Sequence, residues 1–206
     1  GAAYLENDYT NSGQINFQKI YDANAYGPFS IDQAYSPTEH KASNILRTSV
    51  NNHFWYGLLS TANYRMNNNI SLSGGFDLRS YNGEHYGEVY DLLGGDYYVS
   101  SDDNTTADFT NPTSMMKKKG DKIGYHDKGI VRWAGSFFQM EYKNEKWSTF
   151  LNLSGAYTGY KRIDYFKKKD LILTDTTFSQ ALGINDTLAY NGTEYTINSK
   201  EAKYSE

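Results

Sequence analysis

The chain has 206 residues and a mass of 23.4 kDa, enough for one domain or two small ones, and it is 16% aromatic while its mean hydropathy is −0.73. With no cysteine it has no disulfide scaffold, thiolate metal site or cysteine nucleophile, and a net charge of −4 supplies no overall basic field for nucleic acid. No apolar run reaches the about 18 residues of a transmembrane helix, but a transmembrane β-barrel, whose strands alternate apolar with polar, stays open.

Residues 1–50 are rich in Asn, Ser, Asp and Tyr and carry only a weak strand signal, as expected of a polar outer segment. Their start, Gly1-Ala2-Ala3-Tyr4, resembles neither an initiator methionine nor a signal peptide, so a mature, trimmed or partial chain is expected. The first strong pattern runs from His53 to Tyr81. Even positions carry Phe54, Tyr56, Leu58, Tyr64 and Met66, then Ile70, Leu72, Phe76 and Leu78; odd positions carry Asn63 and Arg65, then Ser71, Ser73, Asp77 and Arg79. A turn at Asn67-Asn68-Asn69 pairs Met66 with Ile70, so Tyr64 faces Leu72 and Asn63 faces Ser73. Both strands then agree on which face is wet, and a one-residue slip destroys the agreement.

Residues 82–128 form a long polar stretch holding Gly94-Gly95, Asp102-Asp103-Asn104 and Lys117-Lys118-Lys119. A second hairpin is expected over 129–160, turning at Lys143-Asn144-Glu145-Lys146 with Tyr142 opposite Trp147. Its second strand separates cleanly into Trp147, Leu151, Leu153 and Tyr157 against Ser148, Asn152, Ser154 and Thr158. Its first strand is mixed, with Arg132 among the apolar set and Trp133 and Phe137 on the polar side. Residues 161–206 are again polar, with weak strand signals at Leu171–Leu173 and Tyr195–Ile197. Strands of about 12–14 residues exceed the about 5–6 usual in soluble proteins, and aromatic residues near their ends suit a membrane interface. A soluble β-sandwich with one apolar inner face shares the same period and remains the alternative.

Two segments, Tyr81-Asn82-Gly83-Glu84-His85-Tyr86-Gly87-Glu88-Val89-Tyr90-Asp91-Leu92-Leu93-Gly94-Gly95-Asp96-Tyr97-Tyr98 and the run from Trp147 through Gly155-Ala156-Tyr157-Thr158-Gly159-Tyr160 to Phe166, resemble the barrel region of TonB-dependent outer-membrane receptors of Bacteroidetes type. The resemblance covers roughly residues 50–170. It implies an all-β, antiparallel transmembrane barrel segment of about four long strands in two hairpins, with short periplasmic turns and long outer loops. It further implies energised import of a scarce nutrient (siderophore, haem, cobalamin, glycan or peptide) in the bacterial outer membrane. The partners would be the rest of the barrel and its plug, the TonB complex through parts outside this chain, lipopolysaccharide, and a surface lipoprotein. Neither a plug nor a TonB box is present, and four strands cannot close a barrel, so the chain is expected to be a fragment.

On that reading Asn63, Ser73, Asp77, Arg79, Asn152 and Ser154 face the lumen, and Tyr86, Tyr90, Tyr97, Tyr98 and His85 are loop candidates for ligand contact, with Tyr160 and Tyr165 nearby. Tyrosine suits recognition because it joins a large ring to a polar tip. No covalent chemistry, cofactor or metal is expected: His85 lacks the His-Glu-x-x-His spacing, the Asp102 loop lacks the pattern of a calcium loop, and no Gly-x-Ser-x-Gly elbow occurs. The second functional reading is a secreted β-sandwich that recognises glycan or protein through its tyrosine-rich loops.

Overall fold

A computed structural model describes residues 9–182 and 187–196. It belongs to the all-β class, with antiparallel pairing dominant. Its longest strands form a sheet of order β2-β3-β6-β7, built from β2 (Leu46–Arg65, 20 residues), β3 (Ile70–Asp91, 22), β6 (Lys122–Lys143, 22) and β7 (Ser148–Asp164, 17). These strands are longer than the pattern predicted, because alternation marks only the stretch where one face is apolar. Backbone pairing continues beyond it: Val89 N–H donates to Asp121 O at 3.0 Å, far past Tyr81.

The first hairpin has the expected register. Met66 N–H donates to Ile70 O at 3.0 Å, and Ser73 Oγ donates to Asn63 Oδ1 at 2.7 Å across the wet face. The second turns one residue later than predicted, which moves each residue's partner by two, because Asn144 N–H donates to Trp147 O at 2.8 Å. Asn144 decides this: its Oδ1 accepts from Lys146 N–H at 2.9 Å and Trp147 N–H at 2.7 Å, an Asx-type turn. A shift of two preserves the side-chain period, so the apolar and polar faces stay as assigned. Asn67 closes the first turn in the same way, accepting from Asn69 and Ile70 N–H.

The polar segments are more structured than their composition suggested. Residues expected to carry only a weak strand signal contain a helix, α1 (Phe17–Tyr26), capped by Asn16, whose side chain accepts from Lys19 N–H at 3.1 Å. Further on, β1 (Lys41–Ala42) pairs parallel with β4 (Tyr97–Val99), and β4 pairs antiparallel with β5 (Met116–Lys117), which follows a 3-10 turn at Pro112–Met115. Beyond β7, β8 (Lys169–Ile172) pairs with β9 (Thr177–Leu182), and β10 (Thr187–Tyr190) with β11 (Thr193–Thr196). The expected strands at Leu171–Leu173 and Tyr195–Ile197 correspond to β8 and β11, with Ile197 outside the described residues.

The chain divides into two units. One comprises the described residues up to Asn51, His85–Asp127 and the described residues from Ile163 onward; the other comprises Asn52–Glu84 and Lys128–Arg162. Among the described residues every buried apolar side chain belongs to the first unit: Ile20, Ala25, Ala42, Val89, Tyr97, Met115, Ile123, Ile163, Phe166 and Leu182. The second unit is sheet without a core. Its Leu58, Leu78, Leu151 and Leu153 are 44–58% exposed.

Candidate functional site

Within the second unit, the even-numbered side chains of β2 and β3 present Phe54, Tyr56, Leu58, Tyr64, Met66, Phe76 and Leu78 to solvent. Phe138 and Met140 of β6, and Leu151, Leu153 and Tyr157 of β7, are also exposed apolar side chains. A shallow recess of about 320 Å³ opens around Ala134, lined by Tyr56, Leu58, Leu78, Arg132 and Tyr157. Arg132, which stands among the apolar set, satisfies part of its guanidinium on the Tyr81 and Val131 carbonyls at 3.2 Å.

The odd-numbered face carries Trp55 and Leu59, both exposed, beside polar side chains that are bonded to one another. Besides the Asn63–Ser73 contact, Arg79 Nε donates to Asp77 Oδ1 at 2.8 Å and its Nη2 lies 2.5 Å from Oδ2. His53 Nδ1 shares a 2.7 Å hydrogen bond with Tyr81 Oη, and the two rings stack. Asn152 and Ser154 on β7 are exposed. Glycine explains the unexpected aromatics. A Cβ on Gly75 would lie 2.7 Å from the Phe137 ring, and one on Gly135 3.2 Å from Trp133 Nε1. Each ring occupies space that a glycine leaves empty on a strand.

The loop candidates are placed differently from one another. Tyr86 and Tyr90 lie on β3 rather than in a loop, as does His85, whose Nδ1 is 2.5 Å from Asn51 Oδ1. Tyr90 is exposed, with Lys119 Nζ 5.8 Å from its ring centre. Tyr98 is half-buried on β4. Tyr97 is fully buried, and so belongs to the packing of its unit: it lies against Tyr35 at 6.1 Å, and its hydroxyl has no hydrogen-bond partner among the described residues. Burial, then the charges of Asp32 and Glu39, push its pKa up. Asp32 itself is held below the usual carboxylate range, chiefly by Lys41, whose Nζ donates to it at 2.8 Å.

Sequence reasoning missed a cluster in which Tyr86 takes part. His126 stacks on Tyr165 at 4.2 Å and meets Tyr86 and Phe166 edge-on, while Lys122 Nζ lies 2.9 Å from His126 Nε2 and 4.2 Å from the Tyr86 ring centre. The period-two relation of Lys122 to His126 was the available signal, but the pattern stopped short of that end of β6. The carboxylates of the acidic loop are hydrogen-bonded within the protein. Asp102 Oδ2 accepts from Ser100 Oγ and Gly124 N–H, and Asp103 accepts from Thr105 and Thr106. Lys118 pairs with Glu39 at 2.9 Å and Lys167 lies 3.8 Å from Asp164, so two members of the lysine runs are tied to carboxylates. Among the described residues no group of three or more His, Asp or Glu side chains is placed to hold a metal ion. No family model matches the sequence, and no curated protein matches it.

Proposed function

We propose that this chain forms part of the wall of a TonB-dependent outer-membrane receptor that imports a scarce nutrient. The observation that carries the reading is the second unit: very long strands whose large apolar side chains stand exposed while, among the described residues, every buried apolar side chain lies elsewhere. In water such a surface is a liability; against acyl chains it is the required outer face. From Phe54 to Met66 the chain extends about 40 Å, which at a tilt of about 45° spans about 28 Å, close to the thickness of a bilayer's hydrocarbon core.

Tyr56 and Tyr157 toward one end, and Tyr64 and Trp147 toward the turns, then form two interfacial girdles. The polar face, with Asn63, Ser73, Asp77, Arg79, Asn152 and Ser154, lines the lumen or meets a plug. Because, among the described residues, β2 and β7 each have one neighbour in the sheet, further strands complete the wall. The work of such a segment is enclosure and recognition, not covalent chemistry.

The test is fractionation of the native polypeptide followed by intact mass. Recovery from outer membranes only with detergent, in a polypeptide much larger than 23.4 kDa, is the expected result. A 23.4 kDa species that stays folded without detergent would overturn the proposal in favour of the soluble sandwich.

A further inference from the structure

Resting on the wall reading, we infer that the recess around Ala134, on the apolar face of the second unit, seats the phosphate of an acylated membrane lipid, with Arg132 as its main contact. Arg132 is an exposed cation among apolar neighbours: Leu58, Leu78 and the rings of Tyr56 and Tyr157 line the same recess. Its Nη1 donates to the carbonyls of Tyr81 and Val131 at 3.2 Å. Among the described residues its Nε and Nη2 have no hydrogen-bond partner, and it belongs to no ion pair.

Nothing in the recess answers that charge. Arg79 also lines it, but the guanidinium of Arg79 is held by Asp77, and among the described residues no carboxylate lines it. Ser80, 8% exposed, lines it too, and its hydroxyl has no hydrogen-bond partner among the described residues. A cation and a hydroxyl, both short of acceptors, thus border one space of about 320 Å³. Unsatisfied polar groups of this kind call for a partner, and a cation on a lipid-facing surface does so most strongly. A phosphate meets both needs. Its oxygens accept from a hydroxyl and a guanidinium alike, and the planar N–H fork of arginine matches them in pairs.

Position selects a lipid over a free anion. From Ile70, at the turn, to Ser80 the strand extends about 33 Å, which at a tilt of about 45° rises about 23 Å. Arg132, bonded to the next carbonyl along, therefore stands near the far edge of a hydrocarbon core about 30 Å thick, at the level of the Tyr56 and Tyr157 rings, where headgroups lie. From there toward the turns the same face continues through Leu78 and Phe76 on β3 and Leu153 and Leu151 on β7, all exposed. A charge at one end and an apolar track below it match the two ends of a phosphate-bearing lipid. Inorganic phosphate would leave the track uncovered.

The native polypeptide, extracted and washed free of lipid in an uncharged detergent, is titrated calorimetrically with dioleoyl phosphatidic acid in micelles of that detergent. Saturable binding is expected, weakened about tenfold by Arg132→Gln, the scale of a lost charge-assisted hydrogen bond. Ala134→Phe fills the recess while keeping the cation; it should weaken binding as far, and it decides the matter if Arg132→Gln does not fold. Arg65→Gln removes an exposed guanidinium from the odd-numbered face and should change nothing. No saturable binding overturns the inference, as does binding that either recess variant leaves intact. Equal binding of dioleoylglycerol, which has the chains without the phosphate, would assign the recess to acyl chains alone. Displacement by inorganic phosphate would assign it to a free anion, and either result overturns the lipid assignment. A polypeptide that needs detergent yet binds no phosphatidic acid refutes only the recess; one that stays folded without detergent refutes the wall and the recess with it.

Discussion

At the scale of single residues, glycine decides more of this sheet than its patterning suggests. At Gly75 a Cβ would sit 2.4 Å from Ser60 O and 2.7 Å from Phe137, so backbone and ring would both have to move. Gly129 has nothing within 4 Å of that position. Gly75→Ala should therefore destabilise by about 1–3 kcal/mol, the usual cost of overpacking, whereas Gly129→Ala should be near neutral. Urea titration of the refolded protein, read by tryptophan fluorescence, separates the two; equal midpoints would refute the close approach. The same contacts show why Trp133 and Phe137 looked misplaced in the sequence. Alternation records which face is wet, but not that a neighbouring strand has left room for a ring.

At the scale of elements, the hairpins were legible because each strand repeats one instruction many times. The first register follows from Asn63 facing Ser73 and Met66 facing Ile70, and both pairs meet in the structure. The second turn was displaced by one residue, and its register by two, because side-chain hydrogen bonding at Asn144, not hydrophobicity, chooses among four polar residues. Helix α1 was illegible for a different reason. It is ten residues long, too short to be stable alone, and tertiary bonds from Asn24 hold it. Asn24→Ala strips partners from three carbonyls and one amide in a buried place, at a local cost of about 2–4 kcal/mol. Amide exchange across Phe17–Tyr26 should accelerate markedly in that variant while exchange in Ile70–Leu78 stays unchanged. Uniform acceleration, or none, would show that the clamp is not what holds the helix.

At the scale of the whole molecule, the distribution of burial is the informative quantity. A soluble β-sandwich of this composition predicts a dry core beneath Leu58, Leu78, Leu151 and Leu153, yet these side chains are all exposed. If they face acyl chains, position within the apolar band sets the cost of a charge. Leu72→Asp or Leu151→Asp should reduce folding stability in liposomes by roughly 2–4 kcal/mol near the midplane, with Ser73→Asp costing little. Equal costs on the two faces would remove the lipid-facing assignment. The tyrosine candidates show the reverse limit of a sequence. Tyr90 and Tyr97 are chemically identical, but one is 58% exposed and the other wholly buried, a difference created by the pairing of β1, β4 and β5. Short strands of two or three residues carry no readable period, so nothing in the chain announced which ring would be enclosed.

The two asparagine-closed turns also bear on the order in which the sheet assembles. Each joins strands that are neighbours in sequence, so ladder formation can start at the turn and zip outward with little chain to gather. Joining β3 to β6 is another matter, since the intervening residues from Leu92 to Asp121 must be looped out first. At the turn end that junction is secured by reciprocal bonds, Lys143 N–H to Asn69 O and Asn69 Nδ2 to Lys143 O, both at 2.8 Å. Each hairpin is therefore expected to pair before β3 meets β6, with the meeting of the two pairs slower than the folding of either.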